Sequence, residues 1–558
     1  MKEIVNPDRP NRFGIIMILV LLGVTAAYVG IRLLVWSNSP QLEDHLSIVY
    51  LNQAKTISSG DVESILKMTP DSTPAYPMLV AGASNFFDNL EQGARWISFG
   101  FSLLLFISIL SIGRQYSSNA AVAVGLLLLA FNPEVVRISF SVLTEPVYMG
   151  LVYFGIWQFL KNVESPNWKN AAWLGLIFSA AYLCRWEGIL FLAAVPAIQG
   201  LHFLFASSPK YSLKTYVQWS FSFATAFVAL SLPHVWRISN IMGQFSVNGR
   251  EVWGALDNLP IEGSLRQKVY KLDFDPGIIN LFYLRFHPEA LNSSVVEADF
   301  VSLLVQSLKL AVGNFIVFYN SLLGELVGSA VLMFFGIGIL ALLAKGKGFY
   351  LTTLFLFLGV FLSVPLLDKV SMRQIIIVAP LIMLVAGIGV VSFSSYLAEA
   401  LPVRARVFQH FFVFALALGM VGVNTVPLRS MYLNPDQVNG EYRADDYDQL
   451  ISSIEAQPDF SKGVTKVIAR KKYLAHFVGA KIIPIPFSDY QSLVKYIKIN
   501  LADYLLIEES HLKGYPFFDN FSSDESLPEF KLIESSFDYK GNPQRLYKVT
   551  SAESKASN

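Results

Sequence analysis

A series of long, nearly uncharged apolar segments constrains the fold of this chain more than any other feature of its sequence. A segment of about 18 or more such residues is long enough to cross the hydrocarbon core of a bilayer as a helix. Eleven candidates occur, some of which must extend through flanking polar residues: Phe13–Trp36, Trp96–Gly113, Ser117–Pro133, Val147–Leu160, Ala171–Cys184, Gly188–Phe205, Thr215–Trp236, Leu326–Ala344, Phe349–Leu367, Gln374–Ala398 and Val407–Pro427. The pattern predicts a polytopic α-helical membrane protein.

The composition supports this class and excludes several others. Hydrophobic residues make up 53% and charged residues 15% of the 558 residues, whereas soluble domains are nearer a quarter charged. An aromatic share of 14% is too high for a disordered chain. The net charge of +1 gives no field that would attract nucleic acid. The lone cysteine, Cys184, excludes an intramolecular disulfide framework and a cysteine-rich zinc site.

The basic residues of the short loops orient the predicted spans, because cytoplasmic loops are enriched in lysine and arginine. They precede the first span and recur in every second loop: Lys2, Arg9, Arg12, Arg114, Lys161, Lys169, Lys210, Lys214, Lys345, Lys347, Arg404 and Arg406. This pattern places the N-terminus in the cytoplasm and leaves large outer loops at 37–95 and 237–325. Phe300–Leu323 could lie flat in the interface or form a twelfth span, and we expect the flat position because a further span would reverse the orientation of everything after it. We therefore expect the chain to act at the outer face of a plasma membrane.

A change in composition divides the chain into a transmembrane domain, 1–427, and a soluble domain, 428–558. The second domain alternates helical stretches with strand-like ones: Tyr447–Ala456, Thr465–Ala469, Lys481–Pro486, Tyr490–Asn500, Tyr504–Ile507, Lys531–Glu534 and Arg545–Val549. Strands that alternate with helices indicate a small α/β domain. Because the number of predicted spans is odd and the N-terminus is predicted to be cytoplasmic, this domain is predicted to be extracytoplasmic. It has no glycine-rich phosphate loop, so we expect it to act as a cap or to dock the acceptor.

Charged side chains recur near the outer ends of the spans, where a charge at membrane depth costs about 2.5–3.5 kcal/mol. They are Glu43, Asp44, Glu134, Arg137, Glu145, Arg185, Glu187, Arg237, Asp368, Lys369 and Arg373. Each of them alone could be a solvated loop charge, or one half of a local ion pair such as Arg185 with Glu187. Because the predicted topology brings all of them to one membrane face, together they predict a polar cavity for an anionic substrate, with at least one base.

Several short motifs follow one another in an order that is typical of a known family. After Glu43-Asp44 come Tyr50-Leu-Asn-Gln-Ala54, Thr73-Pro-Ala-Tyr76-Pro77, Ser141-Val-Leu-Thr-Glu145-Pro146, Ala181-Tyr-Leu-Cys-Arg185-Trp-Glu187-Gly188, Trp236-Arg237 and Arg373-Gln-Ile-Ile-Ile-Val-Ala-Pro380. In this order they resemble the GT-C membrane glycosyltransferases, closest to the protein O-mannosyltransferases and the aminoarabinose transferase of lipid A. The resemblance covers nearly the whole chain. It implies the GT-C fold and transfer of a sugar from a polyprenyl-phosphate-linked donor to a hydroxyl of a protein, lipid or glycan.

The resemblance also implies which carboxylates do the chemistry. It places the catalytic acid of the family in the first outer loop, so Asp44, with Glu43 as the second choice, is predicted to be the base that activates the acceptor hydroxyl. Glu145 matches a second acidic position that orients the acceptor, the base or a metal ion. Some relatives use a divalent metal ion, for which Asp44 and Glu145 are the candidate ligands, although no metal-ligand spacing in this chain requires one.

The donor phosphate needs cations, and the resemblance makes Arg185 the first candidate. The further candidates for contact with the lipid phosphate or the sugar are Arg237, Arg250, Arg373, Glu187, Arg137 and Tyr76.

Two alternatives come from other functional classes. A transporter or flippase would usually show internal repeats with broken helices in matching positions, and the two halves of this sequence show no such repeat. A non-catalytic scaffold that keeps the GT-C body is the second alternative. The feature that favours it is the spacing between Glu43-Asp44 and Tyr50–Ala54, which differs from the spacing in the family.

Overall fold

A computed structural model provides the three-dimensional structure of the chain. It describes residues 12–38, 45–60, 73–205 except 88, 211–242, 245–248, 300–367, 371–400, 405–433 and 447–550 except 472, 487, 513, 514, 516, 539 and 540.

The first part of the chain consists of helices joined by short turns over most of the described residues, because its long apolar runs contain few residues that would end a helix. Its helices are α1 Arg12–Asn38, α2 His45–Ser58, α3 Ala75–Ala83, α4 Leu90–Tyr116, α5 Asn119–Ala130, α6 Pro133–Ile138, α7 Glu145–Asn162, α8 Trp168–Cys184, α9 Phe191–Phe205, α10 Leu213–Met242, α11 Phe300–Val317, α12 Leu323–Val327, α13 Ser329–Ala344, α14 Gly348–Leu367, α15 Met372–Ile375, α16 Ala379–Ala400 and α17 Ala405–Leu433. Each predicted span coincides with one of these helices. The predicted helical membrane class is therefore confirmed.

Among the described residues, seven helices are long and apolar enough to cross a membrane, or eight if a bent pair counts as one span. The remaining predicted spans coincide with α5, α7 and α8, which contain 12, 18 and 17 residues. The total of eleven spans stays a prediction.

The bent pair joins Ala311–Val327 to Ser329–Ala344 at an angle of 100°. A π-helical turn at Phe318–Leu322 precedes the bend, and Gly328 forms it with φ of +82°, in the left-handed region that favours glycine. A bend of this size allows the first half to lie along a membrane surface while the second half crosses. The flat position of 300–323 stays a prediction.

Helix α16 lies at the centre of the bundle. It belongs to the candidate span Met372–Glu399, and 89% of the 18-residue apolar stretch that defines this span is buried. It packs closely against α13 and α5 because glycines remove the side chain at the crossings. A Cβ added at Gly389 would lie within 2 Å of the carbonyl oxygen of Phe334, and one at Gly387 would lie 2.4 Å from that of Ala121. This close packing fixes the position of α15, which immediately precedes α16 and carries a residue of the candidate site.

The C-terminal part is a small α/β domain, as predicted. Its sheet contains β1 Lys466–Ala469, β2 Lys481–Pro484, β3 Tyr504–Glu508, β4 Phe530–Phe537 and β5 Pro543–Val549, and its helices are α18 Asp448–Glu455, α19 Tyr473–Val478, α20 Tyr490–Asn500 and α21 Glu509–Leu512. The strand order is β2-β1-β3-β5-β4, in which β1 is parallel to β2 and β3, and β5 is antiparallel to β3 and β4. Helix α19 contacts α2 of the membrane domain.

Candidate functional site

The candidate site is built around Glu145, the first residue of α7. The chain reaches it through the short helix α6 and a turn, and Asn132 fixes the start of α6 by accepting a hydrogen bond from the backbone N–H of Val135. The Ser98 hydroxyl of α4 donates to the backbone oxygen of Ser141 at 2.6 Å, which ties this turn to the neighbouring helix. These contacts fix the N-terminal end of α7, which carries the Glu145 carboxylate.

Two arginines from distant parts of the chain converge on one oxygen of Glu145. Arg185, which follows α8, donates from Nη1 to Oε1 at 2.6 Å. Arg373 of α15 lies with Nη2 at 2.6 Å and Nε at 2.8 Å from the same Oε1. Arg185 also donates from Nη2 to Oε1 of Glu187 at 2.7 Å. The result is a cluster of two guanidinium groups and two carboxylates, with no net charge.

Burial makes these interactions strong, because solvent screens buried charges less than exposed ones. The Glu145 side chain is 2% exposed, against 15% for Arg185 and 25% for Arg373. Burial alone would raise the pKa of Glu145, which precedes the predicted span of α7, but the charges of Arg373 and Arg185 outweigh it and hold the pKa of the carboxyl below its usual range. Glu145 is therefore ionised, and its carboxylate is bound to arginine.

A polar cavity of about 170 Å³ opens beside this cluster. The residues that line it come from α2, the turn before α7, the loop after α8 and α15: Leu46, Tyr50, Thr73, Thr144, Glu145, Cys184, Arg185, Trp186, Glu187, Ser371, Arg373 and Gln374. The Thr73 hydroxyl donates to the backbone oxygen of Cys184 at 2.6 Å and thereby fixes the loop that carries Arg185. A cavity with two guanidinium groups in its wall is suited to an anion such as a phosphate.

A smaller cavity of about 20 Å³ borders the same charged cluster. The residues that it shares with the polar cavity are Glu145, Arg185, Glu187, Arg373 and Gln374. Most of the rest of its wall is apolar: Val360, Phe361, Pro365, Ile376 and Ile377. The arginines therefore border both a polar space and an apolar wall formed by α14 and the turn between α15 and α16.

The structure brings four of the residues predicted for the site together and places others elsewhere. Glu145, Arg185, Glu187 and Arg373 form the cluster, whereas Tyr76, Arg137 and Arg237 are not among the described residues that line the polar cavity. Tyr76 is fully buried behind Tyr50, with ring centroids 5.5 Å apart, and Arg137 pairs with Glu134 one turn earlier on α6 at 2.9 Å. Glu43, Asp44 and Arg250 lie outside the described residues, so their roles stay predictions.

Sequence reasoning missed the uncharged residues of the cavity wall. Tyr50 lies in a motif that the resemblance singled out, but nothing in the sequence indicated that its side chain faces Glu145. Burial, and secondarily the charge of Glu145, raise the pKa of Tyr50, so its hydroxyl stays protonated and can donate a hydrogen bond. Gln374 and Ser371 flank Arg373 in the chain, and only their position next to that residue could have identified them.

The residues around Glu145 fit a metal ion poorly. Its Oε1 already faces three N–H donors from two cations, which oppose a third cation at the same oxygen. Among the residues that the structure describes, no group of three or more histidine, cysteine, aspartate or glutamate side chains could hold a metal ion. A metal ion bound by Asp44 stays a prediction, because that residue is outside the described part.

A comparison with protein families gives a match over part of the chain. The family model described as dolichyl-phosphate-mannose-protein mannosyltransferase matches residues 71–236, a segment that contains Glu145, Arg185 and Glu187. No curated protein sequence matches the chain.

Solved structures extend the likeness over most of the chain. The archaeal oligosaccharyltransferase AglB from Archaeoglobus fulgidus, in complex with an inhibitory peptide and a dolichol-phosphate, matches with a TM-score of 0.59 and 13% identity, over 95% of this chain and 74% of that chain. ArnT from Cupriavidus metallidurans, bound to undecaprenyl phosphate, matches with a TM-score of 0.53 and 10% identity, over 95% of this chain and 98% of that chain. At these identities the likeness shows the fold. The predicted resemblance to the GT-C glycosyltransferases is confirmed.

Proposed function

We propose that this multi-span membrane protein, which has the fold of the GT-C glycosyltransferases, transfers a sugar from a polyprenyl-phosphate-linked donor to an acceptor hydroxyl. The transferred sugar is a hexose or a pentose, the acceptor belongs to a protein, lipid or glycan, and the reaction takes place at the outer face of the plasma membrane. The N-terminus is cytoplasmic and the C-terminal domain is extracytoplasmic in this proposal, as the positions of the basic loops predict.

The observation that carries the proposal is the convergence of Arg185 and Arg373 on Glu145 beside a polar cavity and an apolar wall. A sugar linked to a lipid phosphate is polar at one end and apolar at the other, with an anion in between. The structures of AglB and ArnT contain dolichol-phosphate and undecaprenyl phosphate, respectively. Both are ligands of this chemical class, which supports a lipid phosphate as the ligand of this chain.

In the proposed reaction the acceptor oxygen attacks the anomeric carbon from the face opposite the phosphate. The bond between that carbon and the phosphate oxygen breaks, its electron pair leaves with the phosphate, and the acceptor proton moves to the carboxylate of Asp44, with Glu43 as the alternative base. Arg185 and Arg373 stabilise the charge that develops on the phosphate. Glu145 is not the base, because it is held by both arginines. It instead fixes the spacing between them.

The test uses the purified protein in nanodiscs with a radiolabelled polyprenyl-phosphate mannose as the donor probe and an acceptor extract. Asp44→Asn should abolish transfer, and Arg185→Ala should raise the KM for the donor about tenfold or more, since a charge-assisted hydrogen bond contributes about 1.5–3 kcal/mol. The matched controls are Asp459→Asn in the C-terminal domain and Arg114→Ala, an exposed residue at the end of α4.

Full activity of both Asp44→Asn and Glu43→Gln would remove the first outer loop from the chemistry. An unchanged donor KM in Arg185→Ala would remove that residue from the phosphate site. Uptake of a solute into proteoliposomes without consumption of any lipid-linked sugar would instead favour the transporter alternative.

A further inference from the structure

A second cavity lies outside the candidate site, where the end of α1 meets the beginning of α4. It has a volume of about 400 Å³, which is within the usual range for ligand pockets. We call it the tryptophan groove. Its wall contains Trp36 and Trp96, whose rings lie edge to face with centroids 4.7 Å apart, and the polar side chains of Asn89, Glu91, Gln92 and Arg95.

The chemistry of this wall favours a neutral, hydroxyl-rich ligand. Glu91 and Arg95 carry its charges, and they form an ion pair at 3.1 Å, so the described wall has no net positive charge for a phosphate. Two carboxamide groups and a carboxylate offer both donors and acceptors to hydroxyl groups. Trp96 is 40% exposed and offers an aromatic surface, on which the apolar C–H face of a sugar ring can stack.

The position of the groove indicates that its ligand is attached to a lipid chain. It lies at the ends of two candidate spans, Ile16–Ser37 and Leu90–Tyr116, and tryptophan is enriched at such membrane boundaries. Leu33, also part of the wall, and its neighbour Leu34 are 42% and 52% exposed. An alkyl chain attached to a sugar in the groove would therefore lie along the apolar surface of α1.

Packed side chains connect the groove to the candidate site. Ser98 lies one helical turn after Arg95 on α4, and its hydroxyl is 3.4 Å from the hydroxyl of Tyr76. The ring of Tyr76 contacts that of Tyr50, which lines the polar cavity. A chain of buried side chains, Ser98, Tyr76 and Tyr50, thus leads from the helix that carries Arg95 to the polar cavity.

We propose that the tryptophan groove binds a neutral sugar unit of a lipid-linked saccharide, which is the acceptor of the reaction. This inference rests on the proposed function and gives it an acceptor class. Because buried side chains lie between the groove and the polar cavity, which share no described lining residue, the sugar in the groove is a different unit from the one that receives the transferred sugar. The acceptor lipid then approaches along α1, whereas the donor phosphate lies at Arg185 and Arg373.

The binding test needs no turnover. The full-length protein in nanodiscs is irradiated with a diazirine-labelled dodecyl maltoside, and the labelled peptides are identified by mass spectrometry. The groove should be labelled at 33–37 and 89–96, an excess of unlabelled dodecyl maltoside should compete, and Trp96→Ala should lower the labelling about tenfold, as expected for the loss of one aromatic stacking contact. Gln92→Ala, an exposed position, is a second variant that leaves packing intact. Trp173→Ala on α8, which is 51% exposed, is the matched control.

A diazirine-labelled dodecyl phosphocholine distinguishes a sugar site from a general lipid contact. Equal labelling of the groove by both probes, or equal labelling of wild type and both variants by the maltoside, overturns the inference. The transfer assay supplies the second readout. With a lipid-linked saccharide as acceptor, Trp96→Ala should raise the acceptor KM about tenfold and leave the donor KM unchanged.

The two proposals fail differently. Transfer to a serine- or threonine-containing peptide at an acceptor KM that Trp96→Ala does not change overturns the acceptor assignment and leaves the transferase intact. Maltoside labelling that depends on Trp96, in a protein that consumes no lipid-linked sugar with any acceptor, overturns the transferase and leaves the saccharide site.

Discussion

Replacing Glu145 by glutamine tests whether this residue anchors both arginines. The change keeps the size of the side chain and removes its charge, so Arg185 and Arg373 lose their shared ion pair in a site where Glu145 is 2% exposed. Removal of one partner of a buried pair costs about 3–5 kcal/mol. Because the two arginine side chains are 15% and 25% exposed, water relieves part of the loss. We therefore expect the lower end of that range, about 3 kcal/mol.

The predicted signature is non-additivity. Arg373→Gln leaves Glu145 paired with Arg185, so we expect a cost of about 1.5 kcal/mol, the lower value for a hydrogen bond to a charged group. We expect these losses to lower the activation free energy of unfolding. Glu145→Gln should then unfold about a hundred times faster than wild type at a fixed temperature, and Arg373→Gln about ten times faster. The double variant should stay near a hundredfold, because the ion pair is already lost in the first variant.

The assay follows unfolding of the protein in nanodiscs by tryptophan fluorescence at one temperature, with Glu399→Gln, an exposed residue at the end of α16, as the control. An acceleration of about a thousandfold or more in the double variant would mean that the two effects add. Additive effects, or a Glu145→Gln variant that unfolds at the wild-type rate, would refute the shared anchor.

Two further predictions concern other parts of the chain. Burial raises the pKa of Glu508 from 4.5 to about 7, while its hydrogen bond from the Tyr447 hydroxyl at 2.7 Å offsets part of the shift. The protonated carboxyl therefore contributes about 3 kcal/mol to the free energy of unfolding below pH 4.5, and this contribution is lost as the pH rises through 7. Thermal unfolding of Glu508→Gln should lack this fall in stability between pH 5 and pH 8, and an unchanged pH profile would contradict the assignment. In α16, Gly389→Ala would place a Cβ within 2 Å of the Phe334 oxygen, so it should cost about 1–3 kcal/mol. Gly336→Ala, where no atom lies within 4 Å, should unfold like wild type, and equal melting temperatures of the two variants would count against the tight crossing.

The sequence alone determined the class of the protein and the place of its helices. Long apolar runs with charges confined to their ends can be stable only in a bilayer, and this property is local, so each predicted span coincides with a helix. The alternation of strand-like and helical stretches after residue 447 is also local, and the five strands form close to the predicted positions. Glu145, Arg185 and Glu187 were identified because they lie in short motifs whose order could be read along the chain.

Only the tertiary structure decided what these residues do for one another. Glu145 and Arg373 are 228 positions apart, and their contact depends on how closely α16 packs against α5 and α13. The resemblance assigned Glu145 to orienting the acceptor, the base or a metal ion, which stays a prediction; the structure adds that two arginines hold its carboxylate. Likewise, Tyr76 lies behind Tyr50, and Arg137 pairs with its neighbour Glu134. The physical reason is that hydrophobic patterning fixes which face of a helix is buried, whereas pairing between charges follows from rotations and distances between helices, which arise only when the whole bundle packs.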